Sequence, residues 1–426
     1  MHDITTRWNW NRWVVAGTMA LLGALGWPDA ARADAAVDWQ AIAADTLCRT
    51  TPPLRPGPHG FLDLAVVQAA VFDAVQSIGG KYKPYHVQTP GASGSKEAAA
   101  AKAAHDVLVN LYPTQAASLN TTYKEYLTKK GLKEDDPGVA VGQKAAAGIS
   151  ALRADDGRVP NPMPPPFYGE NVVPKWRSSP AANAPMTSSW MGTTKPFSIQ
   201  SGSQFRSNPP PALTSEQYTK DYDEVKAVGA AINSTRTPEQ TELANFYHSD
   251  HLCLTFQSVA RGVAAEHVKN IDDSSRLLVL VNMAVADALI TAWDSKRHFG
   301  LWRPSTAIQQ GENDGNPATA GDPAWRPFLN DPPYSDYTSG ANAVTAAITH
   351  TLALFFGKDD MTFTVTSGSP PAKQKTRTYN RFSDMQTDVV NVRIYQGIHF
   401  RFADVAGREQ GTKVADWVFK HVGTPK

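Results

Sequence analysis

Apolar residues recur at three- and four-residue spacing over much of the chain, a period that belongs to helices. The clearest stretch runs from Phe61 to Val75 (FLDLAVVQAAVFDAV). Its large apolar side chains fall on more than one face, so the predicted helix is buried on several sides. The same pattern extends from Val37 to about Ser150, with alanine-rich segments over 97–111 and 138–152. Asp63 and Asp73 interrupt the apolar run, and a helix-surface or capping role is expected for both.

From Pro160 to about Pro211 the periodicity stops and proline, serine, glycine and asparagine dominate, with triple prolines at 164–166 and 209–211. This predicts a long irregular connection of the kind that carries function or wraps a surface. Helical periodicity resumes at Thr214 and continues with breaks through Lys296, and the apolar Ser275–Thr291 stretch reads as central to a bundle. A second irregular stretch is predicted over Phe299–Tyr337. A helix follows over Gly340–Phe356, then a short strand over 361–366 from its alternation, then helices over Phe382–Gln396 and Ala403–Val422. The prediction is an all-α, multi-helix bundle with long irregular loops and no internal repeat.

The first 33 residues differ in composition. Arg7 and Arg12 precede the apolar run Val14–Trp27, and Ala31-Arg32-Ala33 stands before Asp34. That order predicts a signal peptide over 1–33 with an A-x-A cleavage site. The run falls short of the roughly 20 residues that span a bilayer, and no later stretch reads as long and apolar enough to do so. The remaining 34–426 is expected to be one helical domain, exported to the periplasm or secreted. It is expected to comprise N-terminal helices over 34–158, the proline-rich segment 159–213 and a helical part over 214–426. The 41 Lys and Arg against 40 Asp and Glu give a net charge of +1. With the signs interspersed, no broad field for nucleic acid or an anionic membrane is expected. The two cysteines, Cys48 and Cys253, fit neither a CxxC nor a Cys/His zinc pattern. They read as a disulfide or as two small buried side chains.

Three elements carry candidate chemistry. Lys296 ends a predicted helix, and Arg303 follows before Pro304, which pushes it out of helical geometry into a loop folding back over the helix end. Ser339 stands as the predicted N-cap of an apolar helix, with the Gly340 amide among the unpaired donors of its first turn, an arrangement suited to oxyanions. Arg393 precedes His399, with Gly397 between them able to stop the helix in a left-handed conformation and turn His399 toward whatever Arg393 binds.

In order and spacing these elements read Lys, six residues, Arg-Pro; Ser-Gly; Arg, five residues, His. The sequence thereby resembles the superfamily of vanadium-dependent haloperoxidases and type 2 phosphatidic acid phosphatases. The Trp293–Ile308 segment, Ile398–Phe402 and the early Ala69–Val75 helix resemble its soluble bacterial haloperoxidase-like branch. The resemblance implies an oxyanion site in which Lys296, Arg303, Ser339, Gly340 and Arg393 hold vanadate, or phosphate in the same place. It implies His399 as the axial vanadium ligand, or as the nucleophile if a phosphate ester is the substrate. Hydrogen peroxide, polarised by Lys296, and a halide or small organic substrate are the implied partners. Helical relatives pair, which suggests a homodimer.

The pattern departs from the family at Ala341, where a histidine commonly serves in proton transfer. General acid-base help is worth about 100- to 10,000-fold, so another group is expected to supply it. His298, His248, and His251 beside Asp250 are the candidates, and Asn342 can orient a water without transferring a proton. The leading expectation is a vanadate-dependent haloperoxidase. The alternatives are an exported acid phosphatase working through a phosphohistidine, and a non-catalytic oxyanion binder, to which Ala341 points.

Overall fold

Two long apolar helices organise the chain. In the computed structural model, which describes residues 33–49, 58–178, 183–248 and 252–426, these are α2 (His59–Gly79) and α9 (Ile271–Phe299), packed against each other. Around α2 lie α1 (Ala35–Arg49), α3 (Lys96–Leu111) and α5 (Pro137–Leu152), with α4 (Ala116–Lys130) packed on α3. Alanine and glycine make the close approach of α3 and α5 feasible: a Cβ on Gly142 would meet the Ala99 carbonyl oxygen at 2.3 Å. The second half contains α6 (Glu216–Val228), α7 (Pro238–Phe246), α8 (Leu252–His267), the short α10 (Pro304–Gln309), α11 (Gly340–Phe356), α12 (Phe382–Tyr395) and α13 (Arg401–His421). Helix α11 packs on both α9 and α13. The described residues 33–426 cluster as one unit, and the expected signal peptide lies, except for Ala33, outside the described residues.

Among the described residues the predicted irregular stretches are irregular, apart from 3-10 turns at Met191–Thr193 and Gly311–Asn313 and the short α10. The predicted strand is β1 (Asp360–Thr366), whose burial alternates as expected. Its antiparallel partner β2 (Thr376–Arg381), with Phe363 opposite Tyr379, was not expected. The sequence TRTYNR has only one apolar position to reveal it.

Two expectations are corrected. α2 and α9 are both long and apolar enough to cross a membrane by length and composition, but 89% and 94% of their most apolar windows are buried inside the protein. Buried acids break up their sequence without exposing a face. Asp63 is among these: it is fully buried, pairs with Arg158 and accepts from the Tyr112 hydroxyl at 3.1 Å, so it is not on the helix surface. Asp73 is likewise buried and does act as a cap, though of a loop: it accepts from the amides of Tyr85, His86 and Val87 at 2.6, 2.9 and 2.6 Å. Asp287 on α9 repeats the device on the amides of Phe197, Ser198 and Ile199 at 2.7, 2.8 and 3.0 Å, tying the proline-rich segment to the core. Of the two readings left open for the cysteines, the disulfide is the one formed, joining α1 to α8.

Candidate oxyanion site

The last turn of α9, the start of α10, the start of α11 and the α12 to α13 junction meet at one buried place. Lys296, Arg303, Ser339, Arg393 and His399 are each 2% exposed or less there. Lys296 lies one turn from the end of α9, whose helix runs three residues further than the sequence suggests before Gly300 stops it. Arg303 takes the extended conformation that Pro304 imposes (φ −81°, ψ 158°). Gly397 follows α12 at φ +77°, and a Cβ there would meet the Gly229 carbonyl oxygen at 2.4 Å, so both the turn and the packing require glycine. Beyond this turn, His399 points back among the cations.

One loop, 331–339, ties these parts together, and its role is invisible in the sequence pattern. Lys296 Nζ donates to the carbonyls of Ser335 and Asp336 at 2.7 and 3.0 Å and lies 4.9 Å from the Tyr334 ring centre. Arg303 Nε donates to the Tyr334 carbonyl at 2.7 Å, and its Nη1 donates to the Ile398 carbonyl at 2.5 Å. The Ser335 hydroxyl returns a bond to the Lys296 carbonyl at 2.8 Å. Asp336 then reaches His399: Oδ1 lies 2.7 Å from Nδ1. A carboxylate accepts, so Nδ1 carries the hydrogen and Nε2 is left as an acceptor, 3.1 Å from Arg303 Nη1. This is a neutral imidazole anchored at one nitrogen.

Arg393 is set from the other side. Its Nη1 donates to Gln396 Oε1 at 2.6 Å, and Gln396 in turn donates to the carbonyls of Ala244 and Tyr247 at 2.8 and 2.9 Å. Ser339 occupies the N-cap position of α11, yet its hydroxyl makes no capping bond to the first turn. The side chain thus remains available for other partners. Gly340 begins α11 where a Cβ would stand 3.0 Å from the Trp293 ring, so glycine lets helix and indole close up. As a first-turn amide it has no carbonyl within the helix.

Burial dominates the electrostatics of the site. Burial, then the neighbouring Arg303, pushes the Lys296 amine well below its usual range. Burial also lowers the Arg393 guanidinium. Burial first, and then the cations Arg303, Lys296 and Arg393, drive the His399 imidazole well below its ordinary value, which keeps it neutral. Asp336 rises to about 7 because burial outweighs Arg303 and Lys296. Arg303 Nη2 is buried without a hydrogen-bond partner, which is costly unless a ligand or water supplies one.

Of the histidines considered as proton carriers, His298 is exposed with its ring edge-on to Phe299. It lines, with Lys296, Arg297 and Ser335, a cavity of about 50 Å³ at the back of the site. His248 follows α7, its amide bonded to the Asn245 carbonyl. Asp250 and His251 lie outside the described residues. Ala341 is half-buried in the first turn of α11, packed against the core. Sequence reasoning missed Tyr334, Ser335, Asp336, Gln396 and Asp404. The short Ser335-Asp336 interval before Ser339 was the only local hint.

The described structure is a helical protein in which Lys296, Arg303, Ser339, Gly340, Arg393 and His399 meet at one buried place. Residues 276–425, which contain all six, match the family described as the VCPO second helical-bundle domain. A segment of 180 residues, 35% of this chain, is 32% identical to the vanadium chloroperoxidase of Curvularia inaequalis, spanning 29% of that protein's length. The fold is similar to a bacterial vanadium-dependent iodoperoxidase (TM-score 0.75, 22% identity, 91% of this chain and 95% of the other). It is also similar to the apo form of a bacterial vanadium-dependent chloroperoxidase (TM-score 0.70, 20% identity, 87% of this chain and 95% of the other). The C-terminal part of the chain is thus similar in sequence to the vanadium haloperoxidases, and the described chain is similar to them in fold.

Proposed function

We propose that a cradle of Lys296, Arg303, Ser339, Gly340 and Arg393 would hold vanadate, with His399 as the residue that would ligate it, and that the protein oxidises halide with hydrogen peroxide. The observation that carries the proposal is the burial of three cationic side chains around one neutral, carboxylate-anchored imidazole. Two features test whether the residues fit the group. Arg303 Nη2 is a buried donor with no partner, and the cations crowd one another so that burial lowers both Lys296 and Arg393. An oxyanion reverses both penalties through charge-assisted hydrogen bonds.

When bound, vanadate supplies Lewis-acid activation of peroxide for a two-electron oxidation of halide, with no change in its own oxidation state. The protein's part is binding and orientation. Arg303 and Arg393 offer planar donor sets from two sides. Beside an anion that restores its proton, Lys296 has a third N–H beyond its two carbonyl partners, to donate to an oxygen of the anion or of peroxide. Asp336 holds the Nδ1 hydrogen of His399 and leaves the lone pair on Nε2, the atom that would ligate, facing Arg303 Nη1 at 3.1 Å. Curvularia's vanadium chloroperoxidase and the bacterial neighbours are named for this chemistry, which supports the reading.

The direct assay reconstitutes purified protein with orthovanadate and measures peroxide-dependent oxidation of iodide, bromide and chloride. Activity that is lost in Lys296→Ala is expected. Its absence with every halide would refute the proposal, and a phosphoenzyme lost in His399→Ala would move the reading to a phosphatase. Export to the periplasm or medium belongs to the same proposal and is supported by the Cys48–Cys253 disulfide, which persists in oxidising compartments. Fractionation of producing cells tests it, and sedimentation tests the homodimer.

A further inference from the structure

Ser339 shares a buried hydrogen-bond network with two residues that the cradle motif does not contain. Asn342 Nδ2 lies 3.2 Å from Ser339 Oγ and 2.8 Å from Asp404 Oδ1, and all three side chains are 1% exposed or less. Asp404 comes from the first turn of α13, and Asn342 from the first turn of α11. A carboxyl oxygen fixes which end of the Asn342 amide faces it, because the nitrogen only donates. Asp404 is pushed up by burial, but it keeps an acceptor oxygen toward Asn342 whether or not it holds a proton. With Nδ2 so placed, Ser339 Oγ accepts from it, and the Ser339 hydrogen is left to go elsewhere. Asp404 itself is within bonding reach of Ser339 and competes for that hydrogen.

We propose that Asn342, pinned by Asp404, is a positioning residue for Ser339: it occupies a lone pair of Oγ and directs the hydroxyl hydrogen into the cradle, where it donates to the bound oxyanion. This rests on the reading of the cradle as an oxyanion site. It gives the segment that departs from the family at Ala341 a defined task, and the task is ligand binding, with no proton transferred. Without Asn342 the hydroxyl turns to the Asp404 carboxyl, and the cradle loses one donor.

The test is a double-mutant cycle read by calorimetric titration of orthovanadate and, separately, inorganic phosphate, with thermal melts confirming folding. Asn342→Ala is expected to weaken binding about 10- to 100-fold, the range for a hydrogen bond to a charged group. In a Ser339→Ala background the same substitution is expected to weaken it no further, because the two residues act through one atom. Equal losses in both backgrounds would make Asn342 a mere packing residue and overturn the proposal, as would unchanged affinity in Asn342→Ala. Asn342→Leu, nearly isosteric and without the amide, carries the same cycle if Asn342→Ala does not fold. Wild-type protein that binds neither anion overturns the cradle reading and this inference together, whereas wild-type binding with additive losses overturns only the inference.

Discussion

Asp336 is where the account is most exposed to a single substitution. Its carboxylate is fully buried, 2.7 Å from His399 Nδ1, and it is the side chain that fixes the imidazole's hydrogen. Replacing Asp336 by alanine leaves that N–H without its acceptor where water does not reach, an orphaned donor worth about 1–3 kcal/mol. Supporting residues of this kind change ligand affinity by about 10- to 100-fold, which at about 1.4 kcal/mol per tenfold is the same range. The Lys296 amine bonds the backbone carbonyls of Ser335 and Asp336, so the substitution spares those two bonds, while it also removes the carboxylate that lies 3.9 Å from Arg303 Nη1. Asp336→Ala is therefore expected to weaken orthovanadate binding about 10- to 100-fold. Asp336→Asn, whose carbonyl oxygen can still accept from Nδ1, is expected to lose less. Titration calorimetry, paired with melting curves, gives both values. A folded Asp336→Ala protein with wild-type affinity would refute the reasoning, as would Asp336→Asn being the more damaged of the two.

Three further outcomes follow from the packing and the buried charges. Gly407→Ala places a Cβ 2.3 Å from the Ser339 carbonyl oxygen, so α13 must move off the cradle. A loss of about 1–3 kcal/mol in denaturant unfolding, together with weaker vanadate binding, is expected, and an unperturbed variant would show that the two helices are not in contact there. Reducing the Cys48–Cys253 bond, which closes a loop with a sequence separation of 205, removes a constraint on the unfolded chain worth about 5 kcal/mol by loop-closure entropy. A melting temperature indifferent to reductant, with both thiols shown to be free, would contradict that. Finally, burial raises both Asp73 and Asp287 from 3.8 to about 6 in the folded protein, against three amides each. The folded state holds these protons more tightly than the unfolded chain, so their contribution is full below about pH 4 and is lost as pH rises through 6. The melting temperature at pH 5 is expected to equal or exceed that at pH 7, and a clear drop at pH 5 would count against this assignment.

Much of the architecture was legible because helices and strands announce themselves by period. Helix α11 begins and ends where the pattern places it, and α12 and α13 agree within two residues. The local placement of Arg303, Ser339 and His399 was legible because proline, an N-cap serine and a turn-forming glycine constrain their own neighbours. Partners at long range were not. His399 and Asp336 are 63 residues apart, and nothing in either local sequence specifies the other. Asn342 and Asp404, 62 residues apart, meet only because Gly407 lets α13 press against the start of α11. The membrane-length apolarity of α2 and α9 was hidden for a related reason. Acids such as Asp63, Asp73 and Asp287 look like surface breaks in a one-dimensional pattern, and only the folded protein shows each one buried against its own partners.

The central claim is that one buried cradle holds vanadate on His399. A crystal structure of protein soaked with orthovanadate tests it most directly. The account predicts an anion with its vanadium bonded to His399 Nε2 and its oxygens met by Lys296, Arg303, Arg393, Ser339 and the Gly340 amide. Vanadate bound elsewhere, or a cradle that stays empty at saturating vanadate, would contradict it.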